Sequence, residues 1–282
     1  MKRLLLLMAI ASITLVSCSK SDDNDDTSGN NGGGGGTTTL TVEKKNHAFL
    51  IDFSEDWCHY CGSNAGPTMD SLKYYEGDKI NAIKVSTSSN NSSFNSTIGP
   101  GITAIYNNST YGGSGVPKFI IANQYMGLSS NINSNVSQTL SKANIFNNDS
   151  VTAAVALSKS MVGDSMVVKT KVQFYKEQLI GTDIRLALYV VEDGIVSPQK
   201  YDQSLPANAN FVHNDVVRTA NSTNYAGVNI NNNTAIVVDQ VFEQTYTMYI
   251  NPAWNKNNLK VVAAIWKMNS NPAKVINSNL LK

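Results

Sequence analysis

The sequence predicts an α/β unit followed by an all-β domain, an antiparallel sandwich of immunoglobulin-like type, on three observations. Between Thr39 and Phe146 short apolar strands alternate with segments of helical character. From Val151 onward apolar residues recur at period two, and the change of pattern falls near Asn147. The chain exceeds what one small core usually holds, so it divides into a leader at 1–17, a tether at 18–38, the α/β domain at 39–146 and the sandwich at 147–282.

The first elements concern export rather than folding. Met1-Lys2-Arg3 is basic, and Leu4 to Leu15 is an apolar run too short for an ordinary membrane span, the pattern of a signal peptide. Its end, Leu15-Val16-Ser17-Cys18, resembles the lipobox of bacterial lipoproteins, whose cysteine is acylated and becomes the first mature residue; a plain secretory leader is the alternative. Ser19 to Gly36 is acidic and then glycine-rich and reads as a flexible tether. Acidic residues after a lipidated cysteine resemble the signal that sends some lipoproteins to the outer face of the outer membrane, the alternative being a solvated spacer. The expected location is the outer membrane, by a lipid anchor, on the periplasmic face or the cell surface.

Lys and Arg number 22 against 21 Asp and Glu, a formal net charge of +1, so nothing here is basic enough to grip nucleic acid. In the α/β half, His47 to Phe53, Ile80 to Thr87 and Pro117 to Ala122 read as strands, and Cys58 to Tyr75, Gly101 to Asn108 and Asn133 to Ala143 as helices. Pro67 is expected to kink the first helix or limit its opening turns. In the second half, Val151 to Val155, Met166 to Phe174, Ile184 to Val191, Gln244 to Ile250 and Lys260 to Trp266 read as strands, parted by turn clusters such as Val162-Gly163-Asp164 and by asparagine runs such as Asn231 to Asn233.

The chemistry concentrates in Trp57-Cys58-His59-Tyr60-Cys61, which follows the apolar run Phe49 to Phe53. A Cys-x-x-Cys just after a strand puts its first sulfur at a helix N-terminus, where unpaired amides favour thiolate, and its second one turn on. His59 between the cysteines supplies hydrogen bonds or positive charge to that thiolate, which stabilises the reduced form. A merely structural disulfide in an exported protein is the competing reading. A zinc site would need two more ligands, and His47, His59 and His213 lack the spacing, so neither metal nor cofactor is expected. Trp254, Trp266, Tyr246 and Tyr249 form either a carbohydrate platform or part of the core.

Leu50 to Cys58 resembles the thioredoxin superfamily, a resemblance that extends over most of Leu40 to Phe146. It implies that Asp52, six residues before Cys58, takes the proton of Cys61, that Lys84 faces Asp52, and that Pro117 of Gly115-Val116-Pro117 is cis and packs against the cysteine pair. It makes Cys58, Cys61, Asp52 and Pro117 the catalytic candidates, with Trp57, His59, Tyr60 and Lys84 tuning them. The intervening pair His59-Tyr60 departs from the usual Gly-Pro of that family, and Pro67 sits one place later than usual.

Leu186 to Gln199 and Phe211 to Arg218, together with the thioredoxin-like half, resemble the outer membrane protein 28 family, whose members combine a lipoprotein or signal segment, a thioredoxin-like domain and a C-terminal β domain. Glu192, Gln199, His213 and Arg218 are the candidates for an interdomain or surface site with an unassigned ligand. Two functions follow: thiol-disulfide exchange with cysteine-containing exported proteins or a redox partner, or a surface binding and adhesion module that uses the redox fold as a scaffold. The anchor is checked by growing cells on a labelled fatty acid. The chain is expected to take up label and Cys18→Ser to lose it, and label retained by the variant would contradict acylation at Cys18.

Overall fold

Strands from both sides of Asn147 join in one sheet. The computed structural model describes residues 39–87, 96–113 and 115–282, so the leader, the tether and Cys18 lie outside the described residues. The strands are β1 (Ala48–Phe53), β2 (Ile80–Val85), β3 (Lys118–Ile121), β4 (Gln124–Gly127), β5 (Ala153–Val162), β6 (Ser165–Phe174), β7 (Ile184–Glu192), β8 (Ile195–Gln199), β9 (Asn208–His213), β10 (Val216–Ala220), β11 (Val228–Asn229), β12 (Val241–Tyr249), β13 (Leu259–Lys267) and β14 (Lys274–Leu281). The α-helices are α1 (Gly66–Leu72), α2 (Gly99–Ile105) and α3 (Ile132–Asn147). A nine-stranded mixed sheet has the order β14-β13-β7-β10-β2-β1-β3-β4, with β11 beside β7. A three-stranded sheet, β12-β6-β5, and the β8-β9 hairpin complete the set.

The apolar runs of β1, β7 and β13 follow from burial on both faces, which removes the polar alternation of a half-exposed strand. Phe49, Ile51 and Phe53 enter one core with Tyr189, Val191, Val262 and Trp266, while Ala48 and Leu50 face α1 and α3 through Met69, Leu72 and Ala143. Leu186, Leu188 and Val190 of β7 and Val261, Ala263 and Ile265 of β13 face the three-stranded sheet through Val155, Val168, Phe174 and Met248. Sheet packs on sheet there, the all-β component expected of the second half, but the larger sheet is mixed and takes in strands from before Asn147. Aromatic contacts cross from β1 to it: Phe49 stacks on Tyr189 at 5.9 Å and meets Trp266 edge-on at 6.4 Å, and the Trp266 indole N–H donates to the Tyr189 hydroxyl at 3.0 Å.

The change of pattern near Asn147 is the point where α3 ends and β5 begins, within a unit that runs from Thr39 to Lys282. The two parts of the large sheet meet at one parallel pairing, Val216 of β10 with Lys84 of β2, where the Lys84 N–H donates to the Asp215 carbonyl at 2.7 Å. Asp215 holds a left-handed backbone (φ 60°), which a short polar side chain tolerates. Its carboxylate lies 2.5 Å from the Lys260 ammonium, which also meets Glu76 at 2.7 Å and Asp193 at 3.0 Å. Against the cost of burial, these three carboxylates hold Lys260 above its ordinary range. Burial, opposed by Lys260 and reinforced by Glu76 and Asp193, pushes Asp215 up to about 7.

Several elements depart from the sequence expectations. The first helix begins with a π-helical turn at Cys61–Ala65, in which the Gly66 N–H reaches back to the Cys61 carbonyl, then becomes α1 with Pro67 in its first turn and ends in a 3-10 turn at Lys73–Tyr75. Pro67 has no N–H to donate and sits where the helix changes type. The strand β4 follows a turn in which Ala122 and Asn123 both have positive φ (49° and 63°), and alanine does not announce such a turn. Asparagines also do more than mark loops: buried Asn277 of β14 accepts from the His47 N–H at 2.9 Å and donates to the Lys45 and Ala153 carbonyls at 2.9 and 2.7 Å. Trp266 is fully buried, Tyr246 and Trp254 pack against the sandwich core, and Tyr249 is exposed, so these aromatics form no common platform.

Replacing Lys260 by Ala leaves three neighbouring carboxylates without their shared cation. The expected loss is about 3–5 kcal/mol in urea unfolding at neutral pH. A loss below about 1 kcal/mol would show that the cluster does not hold the seam.

Candidate functional site

Cys58 and Cys61 lie where β1 gives way to the first helical turn, and they form a disulfide with their Cα atoms 5.2 Å apart. Both are buried, at 5 % and 3 % exposure, whereas Trp57 and Tyr60 beside them are 64 % and 56 % exposed. The sulfurs thus sit low between two exposed aromatic rings. The Cys61 N–H points at Cys58 Sγ from 3.1 Å, the amide contact expected of a helix start. His59 is half-buried with its ring 3.9 Å from that of Tyr60. The Val116–Pro117 peptide bond is cis, and the Val116 carbonyl oxygen lies 3.7 Å from Cys58 Sγ.

Asp52 pairs across the sheet with Lys84, because β1 and β2 run parallel in that register. The Asp52 carboxyl is fully buried, accepts from the Ser54 hydroxyl at 2.5 Å and lies 3.6 Å from the Lys84 ammonium. Burial raises its affinity for a proton above the usual carboxylate range, with the Lys84 charge and the Ser54 hydroxyl pulling the other way. A second carboxylate, Glu55, escaped the sequence reading. It is buried and accepts from the Ser86 hydroxyl at 2.9 Å, from the Thr87 hydroxyl at 2.6 Å and from the Thr87 N–H at 2.7 Å, which anchors the loop before Trp57 to the end of β2. Its signal in the sequence was the Ser86-Thr87 pair after a buried strand, which is too common to single out.

The candidates Glu192, Gln199, His213 and Arg218 do not share an exposed surface. Glu192, Gln199 and His213 are buried. Glu192 and Arg218 form an ion pair at 2.7 Å between β7 and β10, and the Arg218 guanidinium lies over the Trp254 ring. Gln199 and His213, on opposite strands of the β8-β9 hairpin, go instead to the neighbourhood of the cysteine pair and Lys84. Gln199 Nε2 donates toward the carbonyls of Glu55, Asp56 and Cys58. Burial and then the Lys84 charge bring His213 down to about 4.

Together these residues supply the parts of a dithiol centre: two adjacent sulfurs, an amide directed at the first, and a buried acid of raised proton affinity in the strand that leads to them. A prediction follows from His213. Its folded-state value lies below the ordinary 6.5, so the unfolded chain takes up the proton first as pH falls. The stability it contributes is complete above about pH 6.5 and is lost toward pH 4, by roughly 2–3 kcal/mol. Urea unfolding at pH 7 and 4.5 is expected to show a larger acid loss for the native chain than for His213→Gln, and equal losses would contradict it.

Comparison with curated proteins gives no match. Among solved structures the chain is similar to HBP35 of Porphyromonas gingivalis, at 18 % identity and a TM-score of 0.64 over 85 % of this chain and 76 % of that one. It is also similar to protein AGR_C_4864 from Agrobacterium tumefaciens, at 12 % identity and a TM-score of 0.50 over 83 % of this chain and 93 % of that one. At such identities the likeness is one of fold. A family model described as Outer membrane protein Omp28 matches residues 104–280, a stretch that includes Pro117, Gln199 and His213 and begins after the cysteine pair. That stretch is more than half of the sequence, and the chain belongs to the Outer membrane protein Omp28 family.

Proposed function

We propose that this is a cell-envelope lipoprotein, anchored in the outer membrane through Cys18, whose thioredoxin-like half exchanges disulfides with cysteines of exported proteins. The observation that carries the proposal is the disulfide between Cys58 and Cys61 beside the Val116 carbonyl, with Asp52 buried in the strand that leads to it. A thiolate of the partner attacks Cys58 Sγ and forms a mixed disulfide. The bond between Cys58 and Cys61 breaks, and the electron pair leaves on Cys61, to which protonated Asp52 gives its proton. The partner's second thiolate then attacks its own sulfur in the mixed disulfide and releases Cys58 as thiolate. Two electrons have passed to the cysteine pair, and the partner holds the disulfide. Run backwards, the same steps reduce a partner, with Asp52 accepting the proton.

Burial raises the proton affinity of Asp52, with Lys84 and Ser54 opposing it, and that is the direction proton donation to a leaving thiolate requires. Exposed Trp57 and Tyr60 offer apolar surface beside the sulfurs for an unfolded partner. The Cys-x-x-Cys favours exchange over a surface binding module, because a scaffold has no use for a buried acid of raised proton affinity in the strand that leads to the cysteines.

The deciding measurement is the reduction potential of the pair, from equilibration of the full chain in glutathione buffers followed by trapping of free thiols. A value between about −270 and −120 mV is expected, whereas one below about −300 mV would mark a structural bridge and return the fold to the role of scaffold. In single-turnover exchange with a reduced, unfolded substrate, Asp52→Asn is expected to slow formation of the mixed disulfide by about 10²-fold.

A further inference from the structure

The loop that leads to Cys58 is held by a side chain 141 residues further along the chain. Gln199 ends β8 with its amide turned into this loop, and Nε2 lies 3.1 Å from the Glu55 carbonyl oxygen, 3.1 Å from that of Asp56 and 3.0 Å from that of Cys58. It also lies 2.8 Å from the Lys200 carbonyl oxygen, so one amide with two N–H groups serves four acceptors. Gln199 is 2 % exposed, which leaves little room for water to take over its bonds. The next residue adds a main-chain bond, Lys200 N–H to the Asp56 carbonyl at 2.7 Å.

The close approach of the hairpin is written into the helix beside it. A Cβ on Gly62 would fall 2.3 Å from the Lys200 carbonyl oxygen and 2.7 Å from Tyr201 Cβ, and one on Gly66 would fall 2.8 Å from Phe211 Cζ. Two glycines in the helical segment that starts at Cys61 therefore admit the residues that follow β8 and Phe211 of β9. Within such a segment each glycine carries a conformational cost that alanine would avoid.

Resting on the reading of the pair as an exchange site, we propose that Gln199 is a positioning residue for it, one that keeps Cys58 in place after the disulfide has opened. In the oxidised chain the bond to Cys61 itself tethers Cys58. In the reduced chain that tether is gone, and the segment 55–58 relies on its hydrogen bonds. The disulfide and the Gln199 amide order the same segment and so reinforce each other, and the amide stabilises the oxidised form more than the reduced one, where part of its bond energy is spent on ordering. Its loss makes the pair easier to reduce.

The experiment compares the full chain with Gln199→Met, which keeps the length of the side chain and removes the donor. Equilibrated in glutathione buffers, the variant is expected to shift toward the dithiol by about tenfold in equilibrium constant, which is about 30 mV to less negative potential. Alkylation of reduced Cys58, which is 5 % exposed in the held loop, is expected to quicken in parallel. An unchanged potential and alkylation rate, with equal losses of thermal stability in the two redox states, would reduce Gln199 to a structural contact and overturn the proposal.

A second measurement needs no variant. The side-chain amide protons of Gln199 in the native chain, followed by ¹⁵N NMR, are expected to stay protected from solvent exchange when the pair is reduced. Exchange at the rate of a free amide in the reduced chain would overturn the proposal. A native potential in the range of structural bridges would remove the exchange reading alone, since the shift in the variant still decides what Gln199 does to the pair.

Discussion

A single parallel bridge, Lys84 of β2 to Val216 of β10, carries the continuity of the large sheet. The Lys84 N–H takes the Asp215 carbonyl on one side while its ammonium faces Asp52 on the other. The residue that closes the sheet is thus also the buried cation next to the acid of the cysteine site. Asp215 is tied down in turn by its carboxylate, through Lys260, to Glu76 at the end of the first helical segment and to Asp193 just after β7. A backbone seam one residue wide is reinforced by a buried charge cluster and by the aromatic packing of Phe49, Tyr189 and Trp266 across it. A buried ionic cluster costs desolvation energy and returns it only when every member is paired, which makes it sensitive to geometry and suits it to fixing one arrangement of the two parts.

The site inherits that arrangement. Its sulfurs, acid and cis-proline loop come from the first part of the chain, whereas Gln199 and His213 arrive on a hairpin between β7 and β10. The family match begins beyond the cysteines and takes in the hairpin, so the segment that the family shares includes the residues that embrace the dithiol loop. Only part of the environment of the sulfurs can be described from the stretch around Cys58.

The legibility of the fold followed the strength of the local signal. β1, β7 and β13 were plain because burial on both faces makes a continuous apolar run, and β6 because its apolar residues alternate, whereas β5 was read only to Val155 although it runs on to the Gly163 turn. β14 was hidden because its Asn277 and Asn279 spend their amides on the carbonyls of Lys45, Ala153 and Val155, a tertiary use that looks in sequence like a polar loop. The β8-β9 hairpin was hidden by Pro198 and by its mostly polar or exposed residues. For the site, the Cys-x-x-Cys and the resemblance to the thioredoxin superfamily named Cys58, Cys61, Asp52 and Pro117, and the structure puts Asp52 in β1 and the Val116 carbonyl 3.7 Å from Cys58 Sγ. Gln199 and His213 were named for an interdomain or surface site without choosing between them, because nothing local distinguishes an amide bound for solvent from one bound for three carbonyls of another segment.

The seam has a consequence for how the chain comes off the ribosome. Until Val216 has been made, the strand at Ile80–Val85 lacks its bridge at Lys84, and that flank lies beside the apolar residues of two unfinished cores. Such an edge recruits any neighbouring extended segment. More than a hundred residues separate the two partners, so an emerging or truncated chain that stopped after Phe146 would carry an adhesive flank in place of a finished domain.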